Sequence, residues 1–420
     1  MLEGRACLIS RALPSSCEQE SKWAYMTHHL LERTCNKRPL DVSSGDQGDL
    51  LGKDMEIRTK SIKLTESSTS KSDSSDSNNL ISSIGRDNSI SCLLRCSPSD
   101  YGSLASVNRG FRSLIRSGEL YRLRRMHGIA EPWVYFSCTV EEWEAYDPYR
   151  ARWINLPKMP HNECFMSSDK ESLAVGTELL VFGKVVYSHI VLRYSILTNS
   201  WSPGVVMNLP RCLFGSASFG EKAIFAGGCD ARGAILNSAE LYSSETKTWT
   251  TLPSMNRPRK MCSGVFMDGK FYVVGGMASH TELLTCGEEF DIEKGTWRII
   301  PNMSLGLNGA SGAPPLVAVV NNELYAAHYG DEEVRKYDKK NNVWITLGRL
   351  PERPASMNGW GLAFRACGEQ LIVIGGPRAL GGGVIELHSW VPKDGEPPEW
   401  KMIARKQSGS FVYNCAVMIC

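Results

Sequence analysis

The sequence predicts a mostly β fold, a six-bladed β-propeller whose ring is closed by the C-terminal strand. Tryptophans recur over the second two-thirds of the 420-residue chain at gaps of 48, 48, 48, 47 and 56 residues: Trp153, Trp201, Trp249, Trp297, Trp344 and Trp400. Another aromatic residue precedes each of the first five by seven positions, and short apolar runs ending in glycine lie upstream. A period near 50 residues indicates a repeat architecture, and such arrays usually present a binding surface.

Each aromatic pair predicts a β-hairpin. The partners of the first five tryptophans are Tyr146, Tyr194, Tyr242, Phe290 and Tyr337. Because seven is odd, the two rings would point to opposite faces of one continuous strand. Turn-forming residues such as Lys294-Gly295 lie between them, which favours two antiparallel strands that bring both rings to one packing layer. The sixth unit differs, because Trp390 precedes Trp400 by ten residues.

Two further strands are predicted upstream of each hairpin. The clearest apolar runs are 223–226 before Gly227-Gly228, 272–274 before Gly275-Gly276, and 371–374 before Gly375-Gly376. A short apolar run without alternation indicates a strand buried on both faces, and glycine at its end permits close backbone approach or a positive φ. Two units carry Phe182-Gly183 and Ala326-Ala327-His328 instead of the glycine pair. With one more strand before each run, a unit has the four strands of a propeller blade.

The two ends of the repeat region complement each other. The first unit shows only a strand at 133–136 and the hairpin of Tyr146 and Trp153, whereas an apolar strand at 411–418 is left over after the sixth tryptophan. Placing the last strand in the first blade completes six blades and leaves no open sheet edge.

Paired glycines followed by a spaced tyrosine and tryptophan resemble the kelch repeat. The resemblance covers roughly residues 130–420 and is strongest in the units that end at Trp249 and Trp297. It implies a kelch-type propeller over residues 129–420.

Composition narrows the classes of partner. The net charge of +2 offers no electrostatic basis for binding nucleic acid. The 14 cysteines contain no C-x-x-C pair, and Cys92 and Cys96 lack a second ligand pair nearby, so neither zinc nor another cofactor is predicted. Charged residues interrupt the N-terminus before any apolar stretch, so no secretory signal is predicted. No run reaches the roughly 18 apolar residues of a membrane span, so no membrane contact is predicted. Reduced thiols fit a protein of the cytoplasm, the nucleus or both.

Residues 1–77 have the composition of a disordered tail. The stretch 66–77 holds seven serines in twelve residues. Such a segment buries too little apolar surface to offset the entropy of ordering. Serines beside acidic residues, such as Ser70 and Ser72, are candidates for phosphorylation, although a passive tail is the favoured interpretation.

Residues 78–128 predict a small helical segment and a connector. A first helix is capped by Asn88 or Ser89, stops at Pro98 and carries the apolar residues Ile90, Leu93 and Leu94. A second helix starts at Ser99 or Asp100 and carries Tyr101, Leu104 and Val107. A third helix carries Phe111, Leu114 and Ile115 and ends at Gly118. The basic connector 119–127 is interpreted as a solvated helix face rather than a nucleic-acid contact. So short a segment cannot enclose a core, so either the propeller or another protein must cover its apolar surface.

Residues 84–101 and 106–115 resemble an F-box. The matching features are the short apolar helix, the Pro-x-Asp-Tyr turn at 98–101 and the helix that begins at Val107. The family usually starts with Leu-Pro where this chain has Ile84-Gly85, and the loss of the rigid proline φ could weaken docking. Phe111 stands where tryptophan is more usual.

An F-box followed by kelch repeats is similar to the plant family of F-box/kelch-repeat proteins. The resemblance implies a non-catalytic substrate receptor of a Skp–cullin–F-box ubiquitin ligase, which binds a Skp-type adaptor and through it a cullin. The residues carried over for adaptor contact are Ile84, Ile90, Leu93, Leu94, Pro98, Tyr101, Leu104 and Val107. Phe111, Leu114 and Ile115 are expected to hold the helices together. The protein target cannot be read from the sequence.

Target recognition is expected on loops at one face of the ring. The loops between blades contain Arg211, Arg257, Arg259, Asn308 and Arg353, and the loops after the glycine pairs contain Asp230, Arg232, His280 and Arg378. Arginines at the mouth of a ring would favour an acidic or phosphorylated target. The equally weighted alternative is that these arginines hydrogen-bond carbonyl groups between blades.

Two other classes of protein compete with the ligase receptor. An enzyme is disfavoured because the histidines fall in different units and no phosphate-binding glycine loop or nucleophile elbow occurs. A kelch scaffold outside any ligase stays open because of Gly85.

Overall fold

Six four-stranded antiparallel sheets make up the chain between residues 132 and 419 in the computed structural model. The structure describes residues 80–81, 83–139, 141–162, 171–185, 188–307, 313–352, 359–375, 383–408, 412 and 414–420; the predicted tail at 1–77 lies outside them. The chain divides into two compact units, Met1–Arg86 and Asp87–Cys420, and the whole ring belongs to the second.

The blades follow one another in chain order. The first blade contains β1 (Pro132–Ser137), β2 (Trp143–Asp147), β3 (Arg152–Asn155) and the last strand of the chain, β24 (Asn414–Ile419); the second contains β4 (Glu171–Val175), β5 (Glu178–Val185), β6 (Ser188–Ser195) and β7 (Ser200–Pro203). The third contains β8 (Gly215–Phe219), β9 (Lys222–Ala226), β10 (Ala239–Ser243) and β11 (Thr248–Leu252); the fourth contains β12 (Ser263–Met267), β13 (Lys270–Val274), β14 (Gly287–Asp291) and β15 (Thr296–Ile300). The fifth contains β16 (Leu316–Val320), β17 (Glu323–His328), β18 (Glu333–Asp338) and β19 (Val343–Arg349); the sixth contains β20 (Leu362–Cys367), β21 (Gln370–Gly375), β22 (Gly383–Trp390) and β23 (Lys401–Ser408).

The ring is closed by β24, which pairs with β1 from Pro132 opposite Ile419 to Ser137 opposite Asn414. The innermost strands touch their neighbours in the order β24, β4, β8, β12, β16, β20 and back to β24. The predicted six-bladed propeller with C-terminal closure is therefore confirmed.

The aromatic pairs are cross-strand neighbours, as predicted. Tyr242 is opposite Trp249 and Phe290 is opposite Trp297, with ring centroids 4.8 Å apart in both pairs. In the sixth blade Trp390 and Trp400 are 5.6 Å apart across the longer hairpin. Such offset or tilted aromatic contacts add about 0.5–1.5 kcal/mol beyond the area that they bury.

Each of five tryptophans also ties its blade to the chain that leaves the previous blade. The indole Nε1 of Trp249 donates to the carbonyl of Val205 at 2.9 Å, and that of Trp297 donates to Pro253 at 2.7 Å. The same bond joins Trp201 to Pro157, Trp344 to Met303 and Trp400 to Arg349. This bond explains why tryptophan, rather than any large apolar residue, recurs with the period of the blades.

The paired glycines permit close backbone approach. Gly228 and Gly276 have φ of 90° and 94°, and a Cβ at Gly228 would lie 2.4 Å from the carbonyl oxygen of Cys212. Where the pair is missing, the strands continue instead: β5 and β6 each have eight residues and pair through Gly183 opposite Ile190. Glycine thus ends β9 and β13 early and leads the chain against the neighbouring inter-blade segment.

Four α-helices precede the ring among the described residues: α1 (Gly85–Leu94), α2 (Tyr101–Val107), α3 (Arg109–Arg116) and α4 (Glu119–Met126), with a 3₁₀ turn at Pro98–Asp100. The prediction that α1 begins after a cap at Asn88 or Ser89 was wrong, because Ser89 is fully buried within the helix. The expected helix that begins at Val107 also differs, because α2 ends at Val107 and Asn108 caps α3, which starts at Arg109. The predicted end of that helix at Gly118 agrees with the structure, where Gly118 follows α3 with a φ of 76°.

Candidate functional site

The helical segment has a small polar-aromatic core. Tyr101 and Tyr121 are almost completely buried and meet edge to face with ring centroids 5.4 Å apart. The Tyr101 hydroxyl donates to the carbonyl of Leu93 at 3.3 Å, which ties the start of α2 to the end of α1. Burial raises the pKa of both tyrosines. The two rings therefore act as a packing centre for three of the helices.

Arg124 on α4 joins this core to the ring. Its guanidinium Nη1 donates to the carbonyls of Leu94 at 2.8 Å and Cys96 at 3.0 Å, and its Nη2 lies 3.2 Å from the Glu131 carboxylate. Its Nε donates to the carbonyl of Cys420 at 3.5 Å. One buried side chain thus satisfies the end of α1, where carbonyls lack helical partners, and holds it beside the closing strand.

Further contacts attach the helices to three blades. Arg152 of β3 donates to the Ser99 hydroxyl at 3.1 Å and lies 3.5 Å from the Asp100 carboxylate. Arg125 pairs with Glu221 in the turn between β8 and β9. Gly118, between α3 and α4, lies beside the Leu197 side chain in a turn of the second blade. A Cβ at position 118 would lie 3.4 Å from Leu197 Cδ1. The propeller therefore covers part of the apolar surface of the helical segment.

The eight residues predicted for adaptor contact divide by exposure. Ile90, Leu93, Pro98 and Tyr101 are buried within the chain, and Leu94 and Leu104 are half-buried. Ile84 is 38% exposed and Val107 is 67% exposed. Val107 thus exposes most of its surface, whereas Leu94 and Leu104 expose part of theirs. Adaptor contact by the set stays a prediction.

A buried ion pair repeats at the junctions of the third and fourth blades. Arg211 Nη2 lies 2.7 Å from Glu240, and Arg259 Nη2 lies 2.7 Å from Glu288, with all four side chains at most 2% exposed. Arg259 also donates to the carbonyl of Gly275 at 2.8 Å, and Glu288 accepts from the backbone N–H groups of the preceding inter-blade segment. Burial lowers the pKa of Arg211, an effect that its partner Glu240 opposes. The pair holds each inter-blade segment on the third strand of its blade.

Comparisons with known proteins agree with this architecture. The Kelch motif model matches residues 210–256 and 258–304, the third and fourth blades with their buried pairs. The F-box/kelch-repeat protein At1g74510 of Arabidopsis thaliana is 55% identical over 451 residues, covering 100% of both chains. The F-box/kelch-repeat protein SKIP11 of the same plant is 61% identical over 358 residues, covering 83% of this chain and 77% of its own.

This chain belongs to the F-box/kelch-repeat protein family. A solved structure, "Structure of YjhT", shares the fold alone, with a TM-score of 0.50 and 14% identity over 64% of this chain and 94% of its own. Membership of the family supports a substrate-recognition role of the F-box type.

Gly85 stands where the segment that resembles an F-box departs from the usual Leu-Pro start, and its conformation has a structural basis. Gly85 has a φ of 76°, which proline cannot adopt because its ring holds φ near −65°. A Cβ at Gly85 would meet no atom within 4 Å, so the backbone conformation, not crowding, favours glycine. The position therefore differs in backbone path, as well as in residue type, from a Leu-Pro start.

The predicted target-face residues fall into three groups. Arg211 and Arg259 are buried in the ion pairs, which favours the alternative that they hydrogen-bond within the ring. Arg257 is partly exposed and pairs with Glu282, while Arg232 and His280 are exposed on the loops after β9 and β13. Asn308, Arg353 and Arg378 lie outside the described residues. Target contact by this set stays a prediction.

Sequence reasoning missed the acidic partners of the buried arginines and the anchor of the helical segment. Glu240 and Glu288 are 48 residues apart, as Arg211 and Arg259 are, so the shared period was the available signal. No comparable signal marks Arg124, because most of its partners are backbone carbonyl groups, which every residue has and which residue type does not reveal.

The described part of the chain contains no group of three or more His, Cys, Asp or Glu side chains arranged to hold a metal ion. Within the same residues, no helix has the length and apolar character needed to cross a membrane.

Proposed function

We propose that this F-box/kelch-repeat protein is the substrate-recognition subunit of a Skp–cullin–F-box ubiquitin ligase. Its helical segment binds a Skp-type adaptor and through it a cullin, and its propeller binds the protein to be ubiquitinated. The protein itself breaks no bond; it raises the local concentration of the target beside the transfer machinery. The work would take place in the cytoplasm, the nucleus or both.

The observation that carries the proposal is the uncovered apolar surface of the helices. Val107 is 67% exposed, and Leu94 and Leu104 on the same segment are half-buried, although α4 is packed firmly against the ring. Apolar side chains that stay exposed beside a covered face indicate a docking surface for another protein. Exposed Arg232 and His280 occupy loops of the ring that are available to a target.

The test is binding of the full chain to a purified plant Skp-type adaptor, measured by calorimetry. Val107→Glu places a charge in the expected contact and should weaken binding by at least about tenfold, or 1.4 kcal/mol. Ile345→Glu is the matched control, since Ile345 is an apolar residue 48% exposed on β19 of the fifth blade. Equal affinities of the two variants would contradict docking through the helices.

Gly85 favours a second candidate, a kelch-propeller scaffold that acts outside any ligase. The positive φ at Gly85 changes the path of the chain where family members start with Leu-Pro. Failure of the unaltered full chain to bind the adaptor at all would favour this scaffold. In a reconstituted ligase, proteins found by proximity labelling should be ubiquitinated only when the unaltered chain is present; ubiquitination by the Val107→Glu variant at the same rate would also contradict the receptor role.

A further inference from the structure

Two cysteines face each other at an isolated bridge beside the ring. Cys212, before β8, and Cys229, after β9, exchange both backbone hydrogen bonds, with N to O distances of 3.0 and 2.8 Å. Their sulfur atoms lie 3.5 Å apart. Cys212 is partly exposed to solvent, and Cys229 is 6% exposed.

The backbone at this bridge is compatible with a disulfide. Residues that exchange both hydrogen bonds in an antiparallel pair have Cα atoms about 5.5 Å apart, within the range of roughly 4.4–6.8 Å found for disulfides. Bond formation would shorten the sulfur separation to about 2.05 Å, a change that side-chain rotation supplies. Gly228 permits this close approach, since a Cβ at that position would lie 2.4 Å from the carbonyl oxygen of Cys212.

The next blade shows that packing does not demand thiols here. Lys260 and Met277, each 48 residues further along the chain, form the same bridge with N to O distances of 3.0 and 2.8 Å. The backbone geometry is therefore a property of the repeat, and the paired thiols are particular to the third blade among these two.

Two lysines, Lys184 and Lys260, act electrostatically on the sulfur pair. Lys184 Nζ lies 3.7 Å from Cys212 Sγ and 3.5 Å from the carbonyl oxygen of Asp230. The hydrogen bond with the Cys212 thiol, assisted by Lys184 and Lys260 and opposed by burial, lowers the pKa of Cys229. The same hydrogen bond raises the pKa of Cys212. By contrast, burial raises the pKa of Cys262 and of Cys415 to about 11, so those thiols stay protonated.

We propose that Cys212 and Cys229 are an oxidation site that reacts with hydroperoxides and closes to a reversible disulfide. The Cys229 thiolate attacks the O–O bond, which leaves a sulfenic acid on Cys229 and releases an alcohol, or water from hydrogen peroxide, once a proton is taken up. The Cys212 sulfur then attacks the sulfenic sulfur, and its proton leaves with the hydroxyl as water. Two thiols and one hydroperoxide give one disulfide, one alcohol and one water.

The disulfide would join the inter-blade segment before β8 to the start of the loop that follows β9, on the predicted target face. Asp230 Oδ1 accepts the backbone N–H groups of Arg232 and Ala234, both at 2.9 Å, so the loop turns directly after Cys229. Closing the bond would restrain the base of this loop, and reduction by a thiol would release it.

The experiment treats the reduced full-length protein with one equivalent of hydrogen peroxide, blocks free thiols with an alkylating reagent and maps disulfides by mass spectrometry. The expected product is a Cys212–Cys229 disulfide that dithiothreitol reverses. Cys212→Ser should stop at a sulfenic acid on Cys229 that dimedone traps, and Cys229→Ser should abolish both products. Lys184→Gln should slow the reaction about two- to fivefold, because it removes a charge that favours the thiolate.

Cys286→Ser is the matched control, since Cys286 is a partly exposed cysteine in the neighbouring blade. It should leave the yield and rate of the Cys212–Cys229 disulfide unchanged. Thermal melting of each reduced variant shows whether that variant is folded. Disulfide mapping of the unaltered protein tests the proposal even if a variant fails to fold. Absence of the disulfide at tenfold excess peroxide, or oxidation distributed equally over all cysteines, would overturn the proposal.

Discussion

The guanidinium of Arg259 and the carboxylate of Glu288 form an ion pair of 2.7 Å in which both side chains are 0% exposed. Arg211 and Glu240 repeat the pair one blade earlier, also at 2.7 Å. Each arginine lies in a segment between blades and each glutamate lies on the third strand of the following sheet. The pairs therefore hold successive blades in position. An arginine exposed on the surface could instead contact only another protein.

Replacing Arg259 by methionine should strongly destabilise the fold. The change leaves the Glu288 carboxylate buried without its cation, and such a loss typically costs about 3–5 kcal/mol in the free energy of unfolding. Urea denaturation followed by tryptophan fluorescence measures the effect. Arg257→Met is the control, because Arg257 pairs with Glu282 at the surface and should lose no more than about 1 kcal/mol.

The double replacement Arg259→Met and Glu288→Met should recover much of that loss, since no buried charge then remains. A single Arg259→Met variant with unaltered stability but lost target binding would instead favour direct contact between Arg259 and the target.

Replacing Trp249 by phenylalanine should destabilise the third blade. The ring contact with Tyr242 is largely kept, but the carbonyl of Val205 loses the indole N–H at 2.9 Å. We expect a loss of about 0.5–1.5 kcal/mol, the usual net contribution of one hydrogen bond, because the bond is only partly buried. Thermal melting compares it with Trp400→Phe, whose bond to Arg349 lies at a more exposed position and should matter less. Equal shifts in the two variants would show that ring volume, not the hydrogen bond, decides.

The stability of the ring should fall in acid partly through Glu289. Hydrogen bonds from Arg298 at 2.8 Å, with Lys270 at 3.1 Å, lower the pKa of Glu289 from 4.5 to about 2. A depressed folded-state pKa contributes stability that is present above the unfolded pKa near 4.5 and is lost as the pH falls towards 2. Glu289→Gln should therefore be less stable than the unaltered protein at pH 6, and the difference should shrink between pH 4.5 and 2. A difference that does not vary with pH over this range would contradict the assignment.

Removing residues 414–420 should open the first blade. The deletion takes away β24, exposes the paired edge of β1 and uncovers Trp133 and Tyr135, which are at most 3% exposed. We expect loss of the cooperative melting transition and association of the open edges, measured by calorimetry and light scattering. Ile419→Ser, at a position 54% exposed in the same strand, should change the melting temperature little. Cooperative melting of the truncated chain at an unchanged temperature would show that the ring does not need its closing strand.

The parts of the fold that sequence could predict are those in which local pattern and period coincide. Residue type and spacing alone predict the pair of Tyr242 and Trp249, the glycines after β9 and the extra strand at the end of the chain. The start of α1 could not be predicted in this way, because Ser89 is a good capping residue that the fold instead buries. Tertiary packing overrides local propensity at that position.

The candidate site was less predictable for a related reason. Arg211 and Arg259 look like surface residues by type, and only the distant Glu240 and Glu288 make their burial favourable. Likewise, Tyr101 was assigned to adaptor contact on resemblance, whereas the structure packs it on Tyr121. Its part in binding an adaptor stays a prediction. Exposure depends on partners far along the chain, which single residues and short motifs do not reveal.

The attachment of Arg124 limits how this protein can be engineered. Excising the helices α1 to α4 from the ring would remove the surroundings that bury Leu120, Tyr121 and Arg124 of α4. Transplanting these helices onto another propeller would require equivalents of Glu131, Glu221 and the Cys420 carbonyl. The receptor should therefore be redesigned by altering loops on the ring while the junction is left intact. Exchanging the whole helical segment would lose the contacts that fix the helices on the ring.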